Sequence, residues 1–324
     1  MRKIKYVQAI NETLHQLLEQ NEKVFLVGQG VTSPWYVGTT TVGLVDRFGS
    51  QRVFDTPVSE NGVTGLAVGA ALTGMRPIVV HPRMDFMYYA FDQIANHAAN
   101  WHYMFGGQLS VPITFWGIIN RGGEQAAQHS QALQAIFSHF PGLKVVMPST
   151  PYDAKGLLVA SVNDDNPVVY IDDRWLYDLE SDVPEEIYSV EIGKGVIRRQ
   201  GGDVTIVATS YMVHKALEAA ADLEKEGIHP EIIDLLTVKP MDKNLVYNSV
   251  KKTGRLLVVD ASWKTCGLGA EISATIAESN LLVKLKAPIL RVSLPDAPAP
   301  ASSVLENKYY PSSKDIASAV KKLL

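Results

Sequence analysis

Asp55-Thr56-Pro57-Val58-Ser59-Glu60-Asn61-Gly62, running on through residues 63–74, is the stretch from which the fold can be read. A β-branched and aromatic run at 52–54 meets a Thr-Pro turn, and a helical pattern starts at Ser59-Glu60. This places one carboxylate, Glu60, at a strand-to-helix junction, where open α/β sheets carry their chemistry. Gly62, Gly65 and Gly69 lower helix propensity and, with the small Ala67, Ala70 and Ala71, the spacing predicts close approach of another backbone or a ligand.

Working outward, strand-like runs occur at 24–28, 52–54, 77–81, 112–116, 144–147 and 167–171. Helical patterns lie at 6–20, 60–73, 90–103, 131–138 and 152–162. Short buried strands alternating with helices predict a mostly parallel sheet covered on both faces. The acidic segment 177–186 breaks the pattern and reads as the start of a linker reaching Gly201-Gly202. A second α/β region follows, with strands at 204–208, 231–235, 255–260 and 289–293, and helices at 213–226, 243–252, 269–279 and 314–323. The fold class is therefore α/β, as two domains with mostly parallel sheets: 1–185, a linker over 186–202, and 203–324. The amphipathic helix at 6–20 is expected to begin the structure directly.

The bulk properties narrow the function. The chain has 324 residues, enough for two cores, with 46% hydrophobic and 20% charged residues. A net charge of −4 gives no basic footprint, so nucleic acid is not an expected partner. No apolar run approaches the roughly 18 residues of a membrane span. One cysteine, Cys266, leaves no intrachain disulfide framework and no Cys-rich metal site, and it is expected to be a packed thiol. The N-terminus lacks a signal-peptide core, which suggests a cytoplasmic protein, although a processed organelle protein would read the same way.

Locally, Glu60 has a bland explanation: Ser59 caps the helix and Glu60 favours the positive end of its dipole. His129, in Ala127-Gln128-His129-Ser130-Gln131, sits in a polar context near Gly122-Gly123, so a loop is predicted. Most loop histidines do no chemistry, yet such a residue can shuttle protons. Phe86 alone would be assigned to the core.

Further stretches carry a resemblance across essentially the whole chain: Asp85-Phe86 up to Asp92-Gln93-Ile94, Tyr103-Met104 with Gly106-Gly107, and Ala127–Gln131. Pro141-Gly142-Leu143-Lys144-Val145-Val146, Pro148-Ser149, residues 153–158, Asn166-Pro167-Val168 and residues 267–272 continue it. Together with residues 55–74, these resemble the beta subunit of the thiamine-diphosphate-dependent 2-oxoacid dehydrogenases, in their decarboxylating component. The resemblance implies a pyrimidine-binding domain followed by a transketolase-type C-terminal domain. It implies that Glu60 hydrogen-bonds N1′ of the cofactor's aminopyrimidine, favouring the imino tautomer that removes the thiazolium proton, a task suited to an apolar pocket. Phe86 would pack on the ring, Gln29 would stand beside it, and His129 would serve substrate binding and proton transfer. Carbonyls near Ile113, Ser161, Asp164 and Asn166 match a monovalent-cation (K+) site of some relatives. His139 would be a packed structural residue.

The Gly-Asp-Gly and paired-asparagine signature that holds the diphosphate through Mg2+ is missing; Gly201-Gly202-Asp203 has the wrong order. An alpha subunit carrying that half is therefore expected, in an α2β2 heterotetramer, and the resemblance implies docking to a lipoyl acyltransferase core. Gln29, Val80-His81 and Trp116 depart from the family pattern and are expected to cluster at the active site, where they would alter its polarity. Two alternatives stay open: a split transketolase or carboligase, and a non-catalytic scaffold subunit.

Overall fold

A computed structural model describes residues 2–33 and 35–324. In chain order, β1 (Arg2–Lys5) leads into α1 (Tyr6–Gln20), β2 (Val24–Gly28), α2 (Leu44–Phe48), β3 (Val53–Asp55), α3 (Glu60–Leu72) and β4 (Arg76–His81). Then come α4 (Ala99–Met104), β5 (Thr114–Ile119), α5 (Gln134–His139), β6 (Lys144–Val146), α6 (Pro151–Asn163), β7 (Val168–Asp173) and β8 (Glu180–Val183). The second half holds β9 (Val196–Arg199), β10 (Val204–Ala208), α7 (Tyr211–Glu224), β11 (Pro230–Asp234), β12 (Thr237–Lys239), α8 (Lys243–Thr253) and β13 (Leu256–Trp263). It ends with α9 (Leu268–Ala277), β14 (Leu290–Leu294), α10 (Ser303–Tyr309) and α11 (Ser313–Lys321).

A seven-stranded sheet runs β12-β6-β7-β5-β4-β2-β3, and a five-stranded sheet runs β14-β13-β10-β11-β9. From β6 to β3 every pairing in the larger sheet is parallel, so the C-terminal ends of β2, β3, β4, β5 and β7 share one edge. The central strands β2 and β5 are buried along their whole length, as continuous apolar runs require when helices cover both faces. One buried cluster (Phe25, Val79, Phe115, Ile171) faces α3 and continues into the second half through Val207, Ile233 and Val258. The opposite face packs Tyr6, Leu14, Trp116, Leu157 and Tyr170 beneath α1 and α6.

Four local expectations are corrected. The chain opens on a strand, not directly on a helix: β1 pairs antiparallel with β8, so part of the acidic segment read as linker is sheet. The pairing Lys5 with Glu180 shows why charge alone misled, since the acids face a basic strand. The helix expected over 90–103 is a π-helix over Gln93–Ala98 continued by α4. β12, which no alternation marked, crosses from the second half to pair antiparallel with β6. Cys266 is exposed, not packed, and it takes the left-handed φ of 52° just before Gly267, where a Cβ would meet Trp263 O at 2.2 Å.

Candidate active site at the C-terminal edge of the large sheet

β2 ends at Gly28, with φ of 151°, where a Cβ would come within 2.3 Å of the Val80 carbonyl. Glycine is thus required for β2 and β4 to lie together as the chain leaves the sheet. Gln29 follows, and the loop beyond it is fastened by Asp55 at the end of β3. Asp55 Oδ1 accepts from Val31 N–H at 2.9 Å, and Oδ2 accepts from Thr32 N–H at 2.9 Å and Thr32 Oγ1 at 2.6 Å. A carboxylate accepting three such donors is a strong local fastening. Its role was not assigned from the sequence, because the donors come from a loop 23 or 24 residues away.

Glu60 opens α3 and is only 8% exposed. Ser59 makes no side-chain cap, so the bland explanation of the motif loses half its content. Instead, Gln29 Nε2 donates to Glu60 Oε1 at 2.9 Å, and among the described residues no donor reaches Oε2. Gln29, Glu60, Phe86 and Tyr89, with Val58, Ser59 and Asn61, line a cleft of about 710 Å³. Phe86 sits in a 3-10 turn (Met84–Tyr88) after β4, and its other side meets the His129 ring edge-on, centroids 5.4 Å apart at 84°. His129 is half-buried in the loop after β5. Asp85 ties that loop to the turn: its Oδ1 accepts from Gln131 N–H at 3.2 Å, and burial raises its pKa from the ordinary carboxylate value. The structure therefore brings Gln29, Glu60, Phe86 and His129 to one edge.

The other flagged residues lie elsewhere. Ile113, Ser161, Asp164 and Asn166 gather at the opposite, N-terminal edge of β5 and β7. There Ile113 O accepts from Val168 N–H at 3.0 Å, Ser161 O from Asp164 N–H at 3.4 Å and Asp164 O from Arg76 Nη1 at 3.1 Å, while Asp164 also pairs with Lys144. His139 is exposed rather than packed. Of the departures, only Gln29 reaches the cleft, which corrects the expectation that they cluster there. Trp116 is fully buried in β5 with Nε1 unpartnered. His81 is buried at the end of β4, and burial pushes its pKa down to about 4. Near Trp116, Tyr177 Oη donates to Asp172 Oδ2 at 2.8 Å, and burial pushes Asp172 up to about 7. These substitutions act on the core beneath the sheet.

Residues 2–178 match the transketolase pyrimidine binding domain, and residues 193–316 match the transketolase C-terminal domain. The acetoin:2,6-dichlorophenolindophenol oxidoreductase subunit beta of Cupriavidus necator is 44% identical, covering 100% of this chain and 98% of its own. The chain belongs to the beta subunits of the thiamine-diphosphate-dependent 2-oxoacid dehydrogenase family. The mitochondrial pyruvate dehydrogenase E1 component subunit beta of Bos taurus is 45% identical over 98% of this chain and 89% of its own. A solved structure titled split gene transketolase, inactive beta4 tetramer, superposes with a TM-score of 0.81 over 99% of this chain and 98% of its own, at 24% identity, a likeness of fold alone. Within the family frame, the apolar cleft with a buried, half-satisfied carboxylate at its floor fits an aminopyrimidine ring that donates and accepts at its edge. No helix among the described residues is long and apolar enough to cross a membrane.

Proposed function

We propose that this chain supplies the aminopyrimidine half of a thiamine-diphosphate-dependent 2-oxoacid dehydrogenase that hands its acyl group to a lipoyl carrier. The observation carrying this reading is Glu60, with one oxygen fixed by Gln29 and the other unengaged at the floor of the cleft. When bound, thiamine diphosphate supplies the electron sink that decarboxylation needs. Glu60 Oε2 would hold a proton toward the ring nitrogen N1′, and Gln29, by fixing Oε1, would decide which oxygen does so. Phe86 offers a flat apolar face that excludes water. His129, braced by Phe86, holds or delivers a proton at the substrate's carbonyl oxygen and at the acceptor sulfur.

The missing diphosphate signature supports an alpha subunit that binds Mg2+ and completes the site, in an α2β2 arrangement, with an acyltransferase core docked outside. We take residues 1–185 and 203–324 as the two domains joined by 186–202, a segment whose β9 extends the second sheet, and the cytoplasm as the location. A monovalent cation, bound through the remaining lone pairs at Ile113, Ser161, Asp164 and Asn166, would be structural, since these carbonyls lie on the edge away from Glu60.

The test is Glu60→Gln in the complex reconstituted with the alpha subunit. Decarboxylation is expected to fall by about 10²- to 10⁴-fold with assembly intact by sedimentation. Activity at the wild-type level would instead favour a scaffold role.

A further inference from the structure

The C-terminal edge of the large sheet continues past the Glu60 cleft. Three turns converge there: Pro82-Arg83 after β4, Asn120 after β5 and Arg174 after β7. Arg174 Nη1 donates to Asn120 Oδ1 at 2.8 Å. Asn120 Nδ2 donates to Gln125 Oε1 at 2.8 Å, and Arg83 Nη2 approaches the same oxygen at 3.4 Å. Arg83 Nη1 donates to the Pro82 carbonyl at 2.9 Å. The Trp35 indole lies 5.8 Å from the Arg83 guanidinium. The same indole covers Gly30, beside Gln29, so closely that a Cβ at Gly30 would meet it at 2.6 Å. The Trp35 indole thus stands between the cluster and Gly30 beside the cleft, and Gln125 joins the cluster to the loop that carries His129.

Its charge is unbalanced. Arg76, Arg121 and Arg198 each pair with an aspartate, whereas among the described residues neither Arg83 nor Arg174 makes an ion pair. Both donate to neutral oxygens instead. Arg83 is half-buried with its Nε enclosed and unpartnered. Burial, and then the proximity of Arg174, lowers its pKa below the ordinary guanidinium value, and Asp85 acts on it only from beyond ion-pair contact. Two guanidinium groups held together without a counter-charge repel, and an anion placed between them removes that repulsion.

We propose that Arg83, Arg174 and Asn120 form a subsite for a carboxylate or phosphate group borne by the substrate, distal to its 2-oxoacid function. The substrate class is a 2-oxo dicarboxylate or a phosphorylated 2-oxoacid, a choice that rests on the reading of the Glu60 cleft given above. The notch between the polar Arg83, Asn120 and Arg174 and the apolar Trp35, Val37 and Ile118 measures about 10 Å³, room for one terminal oxygen. The other oxygens of the anion would meet the in-plane N–H edges of the guanidinium groups, whose planar forks suit paired oxygens.

The test uses the complex reconstituted with the alpha subunit and compares 2-oxoglutarate and phosphonopyruvate with 2-oxobutyrate. An anionic substrate is expected to show the highest kcat/KM. Arg83→Gln and Arg174→Gln should each lower the anionic-to-neutral ratio of kcat/KM at least about tenfold, through KM. Calorimetric titration of the complex with succinate and with inorganic phosphate reads the subsite without catalysis and separates the two anions. The preferred one should weaken about tenfold in Arg83→Gln. Turnover of 2-oxobutyrate with no anionic preference and no change in ratio overturns the subsite while the cleft reading stands. No turnover of any 2-oxoacid overturns the cleft reading, and the titration then decides the subsite by itself. Loss of assembly in Arg83→Gln with anion affinity unchanged would mean that the arginines face an acidic side chain of the partner, which also overturns the subsite.

Discussion

Glu60 is held by a neutral amide, and this single contact orients the site. Gln29 donates to Oε1, and Oε2 is left without a donor among the described residues. Glu60 and His129 were singled out through the resemblance, since each had a bland local explanation, and the fold places both at one edge of the sheet. Asp55 and Asp85 were not singled out, because their partners sit on loops from other parts of the chain. Trp116 and His81 were legible as departures on buried strands but not in their effect, since nothing local shows that neither side chain reaches the cleft. Their surroundings give a prediction. Asp172, raised to about 7, binds a proton in the folded protein at pH values where the unfolded chain, near 3.8, has lost it. Its contribution to stability therefore falls as pH rises from about 4 to 7. Buried His81, lowered to about 4, acts oppositely, adding stability as pH rises from about 4 to 6.5. Asp172→Asn, which keeps an acceptor for Tyr177, should gain in Tm over wild type progressively between pH 4 and 7 and level off above. A difference independent of pH would contradict this.

At the scale of elements, the loop carrying His129 is shaped from a distance. Gly122 and Gly123, with Glu124 and Ala126, take positive φ values. Their amides form a concave nest, and Glu306 of α10, 5% exposed, fills it, its two oxygens accepting from Gly122 N–H and Glu124 N–H at 3.1 Å each. Ser303 N–H returns the contact to Glu124 Oε1 at 3.1 Å. Glu306→Ala should free this loop and lower kcat of the reconstituted complex about tenfold, with Glu306→Gln between alanine and wild type because one acceptor remains. A rise in KM alone, or equal effects of both substitutions, would argue against it. Most strands and helices of both halves were legible from alternation and periodicity, several to within a residue, whereas α2 and α10 were not read and β9 fell in the segment taken as linker. β1, β8 and β12 were not, because they are short and exposed or paired across the molecule, so their pairing is decided by tertiary contact.

At the scale of the whole molecule, two sheets are locked together. β12 leaves the second half to extend the first sheet, Gln134 Nε2 donates to Asp260 Oδ1 at 2.6 Å, and Arg121 pairs with Asp173 while donating to Ala261 O at 3.2 Å. The two-domain α/β architecture was legible from the break in pattern near residue 180. The arginine cluster was not, because it exists only once β4, β5 and β7 lie side by side. We propose that this chain holds the ring end of a cofactor whose other end belongs to a partner. The most direct measurement is calorimetric titration of thiamine diphosphate with magnesium into this chain, into the alpha subunit and into their mixture. Tight binding in the mixture alone, weakened by Glu60→Gln, is the predicted result. Equally tight binding by this chain in isolation would contradict the account.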